Sequence, residues 1–370
     1  MRKQNGSIEA FFALLRAGLW EKAVQLLPYG EIDFSTLRQL AEEQSIVGLV
    51  AAGLEHVTDV KVPRPDVLQF VGQTLQMEER NKAMNLFIAV FVDKMKAAGI
   101  YTLLVKGQGV AQFYERPLWR ACGDVDLLMD DSNYIKAKDF IIPLADKVDN
   151  EIVSIKHQAM EINGFNVELH GMMPFLISRR VDMVVDSVIH NSLKEDGGKI
   201  WEIGSAEVPI PKPDNHILLV FAHFLHHFFI EGVGVRQICD WCRMLWTHRK
   251  ELDLKLLEER IVRMGLMTEW RVFASLAVDY LGMPAEAMPF YDAKFKSKGE
   301  KVLKRVMKSG DFGHNNDLSY RTRYKGLTYK LVAAWRRFWD FASLVPLFPL
   351  DAPKFFVTYL FSKAKQYGNR

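Results

Sequence analysis

Arg120-Ala121-Cys122-Gly123-Asp124-Val125-Asp126-Leu127-Leu128-Met129-Asp130 sets two carboxylates one residue apart inside an apolar run. In a β-strand, residues i and i+2 share a face. Asp124 and Asp126 therefore point one way, while Val125, Leu127 and Met129 point the other way, toward a core. Two like charges side by side repel unless a cation holds them. The cation that suits such a pair is Mg²⁺, with Mn²⁺ as its substitute, because it takes one or two carboxylates together with substrate phosphates. The pattern points to phosphoryl or nucleotidyl chemistry.

Upstream, residues 100–105 form an apolar, β-branched run that ends in Val105-Lys106-Gly107-Gln108-Gly109. This predicts a buried strand, a tight turn and a short helix through Tyr114. Such a turn offers backbone N–H groups to phosphate, which makes Lys106, Gly107 and Gln108 candidates for holding a triphosphate. Downstream lies Asn166-Val167-Glu168-Leu169-His170. Glu168 and His170 share one face of that strand. Glu168 is the candidate third carboxylate, completing a metal site or acting as base on an acceptor hydroxyl. His170 is placed to orient it or to touch nucleotide. The spacing predicts strands 100–105, 124–129 and 164–170 as neighbours in one mixed sheet, with Glu168 close to Asp126.

As a set, these residues resemble the bacterial uncharacterised nucleotidyltransferases of the polymerase-β-like superfamily. The resemblance is carried by Val105-Lys106-Gly107, Tyr114, Pro117, Arg120, Gly123-Asp124-Val125-Asp126 and Glu168-Leu169-His170, with His223, Arg236 and Asp240 further on. It covers residues 85–250 and implies an α+β fold, a small mixed-sheet core flanked by N-terminal and C-terminal helical lobes. It also implies transfer of a nucleoside monophosphate from an NTP to a hydroxyl of an unknown acceptor, a small molecule, protein or RNA, with Asp124, Asp126 and Glu168 on Mg²⁺ or Mn²⁺. Lys106, Gly107, Gln108, Arg120 and His170 would then serve the nucleotide. Two positions depart from the superfamily: Gln108 stands where a small residue follows the glycine, and Glu168 stands where Asp is usual. A non-catalytic module that binds nucleotide or a partner on the same scaffold, and a metal-dependent phosphohydrolase using His170, are the alternatives.

Around this centre the chain reads as helical. Residues 8–56 carry apolar stripes, with Asp33 or Ser35 as a helix cap. A long helix is expected from Asp66 to Ala98, stopped by Gly99. Residues 133–148 return to helical spacing. Residues 151–157 and 164–170 read as a hairpin turning at Asn163-Gly164, and 200–210 as a second hairpin. From Asp214, read as a cap, helices are expected over 215–230, 235–248, 253–264 and 268–281, followed by a basic run, Lys294 to Lys308. The expected divisions are 1–85, 86–212 and 213–370.

With 370 residues, 49% hydrophobic and a net charge of +3, the composition is that of an ordinary globular chain and not of a nucleic-acid coat. Cys239 and Cys242 have CxxC spacing but no second pair, so two small core side chains is the simpler reading. His223, His226 and His227 lie on one helix without a carboxylate or thiol following at metal spacing, so a core role facing the α/β lobe is expected for His223. No signal peptide is evident, and the most apolar stretch, residues 338–361, is broken by Asp340, Asp351 and three prolines. No membrane insertion and a cytoplasmic location are expected.

Overall fold

The computed structural model describes residues 2–194, 197–316, 319 and 323–368. The sheet that carries the site has five strands: β1 (Leu103–Leu104), β2 (Asp124–Leu128), β3 (Lys147–Val148), β4 (His157–Ile162) and β5 (Phe165–His170). Their order is β1-β2-β5-β4-β3. β2 runs parallel to β5, and the other neighbours are antiparallel. The three strands expected together are thus adjacent, in one mixed sheet. Only Leu103 and Leu104 of the first run pair as strand, although Val105 continues the contact through its N–H to the Asp126 carbonyl.

The hairpin between β4 and β5 turns at Asn163 and Gly164, with φ of 52° and 74°. Two successive positive φ values define the tight turn that Asn-Gly favours. Its first strand is His157–Ile162 and not 151–157, since residues 153–155 form a 3-10 turn. The helix expected over 133–148 also ends early. It spans Asp131–Ile141 (α6) because Pro143 follows, and a 3-10 turn and β3 take up the rest.

Four helices precede the sheet: α1 (Arg2–Trp20), α2 (Phe34–Glu43), α3 (Val47–Glu55) and α4 (Arg64–Ala97). Asp33 caps α2 by accepting from the Ser35 and Thr36 amides. Gly99, at φ 71°, ends α4. A four-residue helix, α5 (Gln108–Ala111), follows the Lys106-Gly107 turn, and α7 (Arg179–Ser192) leads to the second hairpin, β6 (Gly198–Ile203) with β7 (Ala206–Pro211).

The C-terminal helices are α8 (Pro213–Ile230), α9 (Val235–His248), α10 (Leu254–Met264), α11 (Met267–Asp279) and α12 (Lys296–Ser309), then Gly326–Ala342 and Asp351–Gly368. Asp214 does not cap α8. Pro213 starts the helix one residue earlier, as proline at a first turn does, and the Asp214 carboxylate instead accepts from the Asp253 amide at 3.0 Å.

Two apolar clusters result. The smaller one lies under the sheet and joins Val125, Leu127, Met129, Val167 and Leu169 to α4 and α6. The larger one joins α1 and α3 to α8, α9 and α11 in a single core. Trp20 seals the contact by donating to the Leu281 carbonyl at 2.7 Å. α4 runs unbroken through residue 85. Cys239 and Cys242 are buried and unpaired in α9, and the lysines at 294, 301, 304 and 308 face solvent. Among the described residues, no helix is long and apolar enough to cross a membrane.

Candidate active site

Register builds the acidic centre. β2 pairs with β5 so that Asp124 lies beside Asn166, and Asp126 beside Glu168. Because the alternation is in phase, the apolar residues of both strands go down into the core and the carboxylates come up together. Asp124, Asp126 and Glu168 each present an oxygen, and these atoms lie within 4.8 Å of one another. Asp126 is buried, and its Oδ2 has no hydrogen-bond partner. A buried, orphaned carboxylate oxygen in a set of three carboxylates fits a hard divalent cation.

Lys106 supplies the balancing charge. Its Nζ lies 2.6 Å from Asp126 Oδ1 and 3.1 Å from His223 Nε2 on α8. His170 Nε2 lies 3.0 Å from the same Asp126 oxygen. Burial would raise the Asp126 pKa, but the Lys106 charge and the His170 hydrogen bond override it and hold the carboxyl below its ordinary value. Asp124 has the opposite bias: the Asp126 charge, then burial, push it up. Burial works against the charge on Lys106, yet Asp126, Asp124 and Glu168 together raise its pKa. For Glu168, hydrogen bonds from His157 and His170 outweigh burial and hold it far below the usual range. Burial pushes His223 well down, and the Lys106 charge adds to this. A neutral His223 therefore accepts a hydrogen bond from the ammonium.

The remaining sequence candidates fall into two groups. Gly107 sits at φ 57°, and a Cβ there would stand 2.8 Å from the Asp124 carbonyl oxygen and 3.0 Å from Cys122 Sγ. The turn thus needs glycine for its conformation and also because the chain crosses itself closely there. Gln108 turns away from the acidic centre. Its side chain is buried and donates to Asn81 Oδ1 of α4 at 2.8 Å. Arg120 is likewise buried, gripping Asp240 through Nε at 3.0 Å and Nη2 at 2.6 Å, while Tyr114 donates to the same carboxylate at 2.7 Å. Asp240 thus takes Arg120, and Arg236 binds Asp311 at 3.0 Å.

α9 shows why this matters. Arg236, Asp240 and Arg243 follow one helical stripe, and each holds part of the segment between the turn and β2. Arg236 reaches the Ala121 carbonyl, Asp240 holds Arg120 and Tyr114, and Arg243 donates to the Phe113 carbonyl at 3.0 Å. The stripe positions the chain that carries Lys106 and Asp124. A cleft of about 440 Å³ opens over the acids, walled by Asp124, Glu168, Asn166, Lys147, Arg236 and Phe312.

His157 was not among the sequence candidates. It stands directly opposite His170 in the hairpin, and its Nε2 lies 3.1 Å from Glu168 Oε2. The signal was present: counting outward from the two-residue Asn163-Gly164 turn pairs His157 with His170. His223 faces the α/β lobe, as expected, while His226 pairs with the Phe175 carbonyl. Glu231 does follow at helical spacing after His227, at 3.6 Å from its Nδ1.

A sheet of this order, with paired carboxylates on β2 and a third on its parallel neighbour, flanked by helices, is the frame of a nucleotidyl-transfer fold. The sequence profile of the family described as uncharacterised nucleotidyltransferase matches residues 30–282, most of the chain, and the protein belongs to that family. No curated protein and no solved structure matches the chain.

Proposed function

We propose that the protein is a metal-dependent transferase that moves a nucleoside monophosphate from an NTP to a hydroxyl of an acceptor, releasing pyrophosphate. The observation that carries this reading is the convergence of Asp124, Asp126 and Glu168 beside a lysine that follows a strand. Membership of the nucleotidyltransferase family supports it.

In this reading Asp124, Asp126 and Glu168 would hold Mg²⁺ or Mn²⁺. Once bound, the cation would neutralise the charge that develops during phosphoryl transfer. Lys106 leaves Asp126 to meet the β and γ phosphates, and His223 Nε2, which also meets His227 Nε2 at 3.1 Å, marks the resting position of the ammonium. The amides of Gly107 and Gln108 face the phosphates, while the Gln108 side chain fixes the turn to α4. Arg120 acts through position and not through contact, since both of its bonded arms belong to Asp240. The strongly depressed Glu168 pKa suits a permanently charged ligand better than a base. The acceptor oxygen attacks the α-phosphorus as the bond to the pyrophosphate oxygen breaks, and the acceptor proton passes to solvent through the open cleft.

The test is to incubate the full chain with each α-labelled NTP, Mg²⁺ or Mn²⁺ and size-fractionated cell extract. Transferred label with equimolar pyrophosphate supports the proposal. Phosphate release without transfer would favour the phosphohydrolase. Tight nucleotide binding with neither product would favour a non-catalytic module.

A further inference from the structure

The acid centre borders a second constellation of different chemistry. His157 Nε2, Glu168 Oε2 and His170 Nε2 also lie within 4.8 Å of one another. The two histidines face each other across the hairpin, with ring centroids 4.9 Å apart. Glu168 Oε2 stands 3.1 Å from one imidazole nitrogen and 3.4 Å from the other. Donors bound at about 2.0–2.1 Å to one tetrahedral ion stand roughly 3.3–3.4 Å apart. Both Glu168–histidine spacings are close to that of ligands around such an ion.

We infer that His157, His170 and Glu168 form a binding site for a divalent transition metal of the Zn²⁺ and Co²⁺ type, separate from the carboxylate site for the nucleotide metal. Imidazole donors select such ions, whereas Mg²⁺ prefers oxygen. Glu168 is the shared ligand: Oε2 faces the histidines, which leaves Oε1 for the acids. The protein therefore holds two adjoining positions with different preferences, one hard and one of borderline softness. His157 is the residue that separates them, because it belongs to the second position alone. The inference goes beyond the transfer reaction and does not depend on it.

The experiment uses metal-free full-length protein titrated with Co²⁺. A visible d–d absorption of a low-coordinate site, saturating at one equivalent and erased by Zn²⁺ but not by excess Mg²⁺, is expected. His157→Gln should weaken Co²⁺ binding by at least about 100-fold, the upper end of the effect of a residue that merely supports a ligand. Asp124→Asn should leave the band in place. The same His157→Gln protein should retain its far-ultraviolet dichroism and a cooperative urea transition, which shows that it has folded. His157→Cys, which returns a softer donor, should restore Co²⁺ binding with a shifted band. Absence of the band, displacement by Mg²⁺, or equal Co²⁺ affinity in His157→Gln and wild type would overturn the inference and leave His157 a hydrogen-bonding support for Glu168. None of those outcomes alters the label-transfer result, so the two readings fail separately.

Discussion

Asp124 and Asp126 are one residue apart and have opposite environments. Asp126 is bound to Lys106 and His170, whereas Asp124 is destabilised by Asp126 and by burial. The sequence suggests that neutralising either one relieves repulsion. The structure limits that to Asp124. Asp124→Asn should raise the stability of the metal-free protein by about 1 kcal/mol. Asp126→Asn should lower it by about 3 kcal/mol, because the half-buried Lys106 loses its closest counter-charge and His170 its carboxylate partner. Chemical denaturation of the two variants at neutral pH checks this, and equal shifts would count against the assignment. Lys106→Ala should weaken triphosphate binding more than monophosphate binding, by roughly tenfold, the size of a lost charge-assisted hydrogen bond. Equal losses in a calorimetric titration would show that the lysine does not read the distal phosphates. Gly107→Val acts on the fold as well as on the site. The positive φ and the close Asp124 carbonyl mean that folding suffers along with binding, by about 2 kcal/mol or more. The three carboxylates were legible because strand alternation is a property of the sequence itself. The engagements of Gln108 and Arg120 were not, because their partners Asn81 and Asp240 lie 27 and 120 residues away.

The elements were legible where a local rule decides them. Asn163-Gly164 set the hairpin, Gly99 ended α4 and Asp33 capped α2. They were misread where two local rules competed. Pro143 overrode the helical spacing of 133–148, and Pro213 took the start of α8 from Asp214. α11 carries a further consequence of packing that no local rule reveals. Glu269 is fully buried on it and faces Asp351, at the start of the last helix. Burial, then the Asp351 charge, push its pKa well above the ordinary carboxylate value. An acid whose folded pKa is raised binds its proton more tightly in the folded chain. It contributes stability below its unfolded pKa and loses it as pH rises through the folded one. Glu269→Gln should therefore raise the melting temperature at pH 8 and converge on wild type near pH 4. A difference that grows on acidification would contradict the placement.

At the scale of the molecule, the divisions expected at 85 and 212 separate segments that share one interior. Phe11, Leu14 and Leu15 of α1 belong to the same apolar cluster as Phe221, Trp241 and Phe273, and Arg243 of α9 donates to the Leu19 carbonyl at 3.1 Å. The sequence showed helices at both ends of the chain but not that they meet, since amphipathic stripes do not name their partners. A chain starting at residue 86 should fail to fold cooperatively, because it exposes the surface that α1 and α3 cover. A sharp urea transition in that fragment would contradict a common core. The Lys106 ammonium, seated among three acids, has a last consequence of a different kind. The molecule carries an internal counter-ion, so the carboxylates come together without a metal from solution. On the proposed function, loading of the three carboxylates would be an exchange and not a filling: a cation arriving alone would have to displace the ammonium. One arriving with a triphosphate would bring the anion that draws the lysine off. The order in which the two are taken up at that position would thereby be biased toward joint arrival.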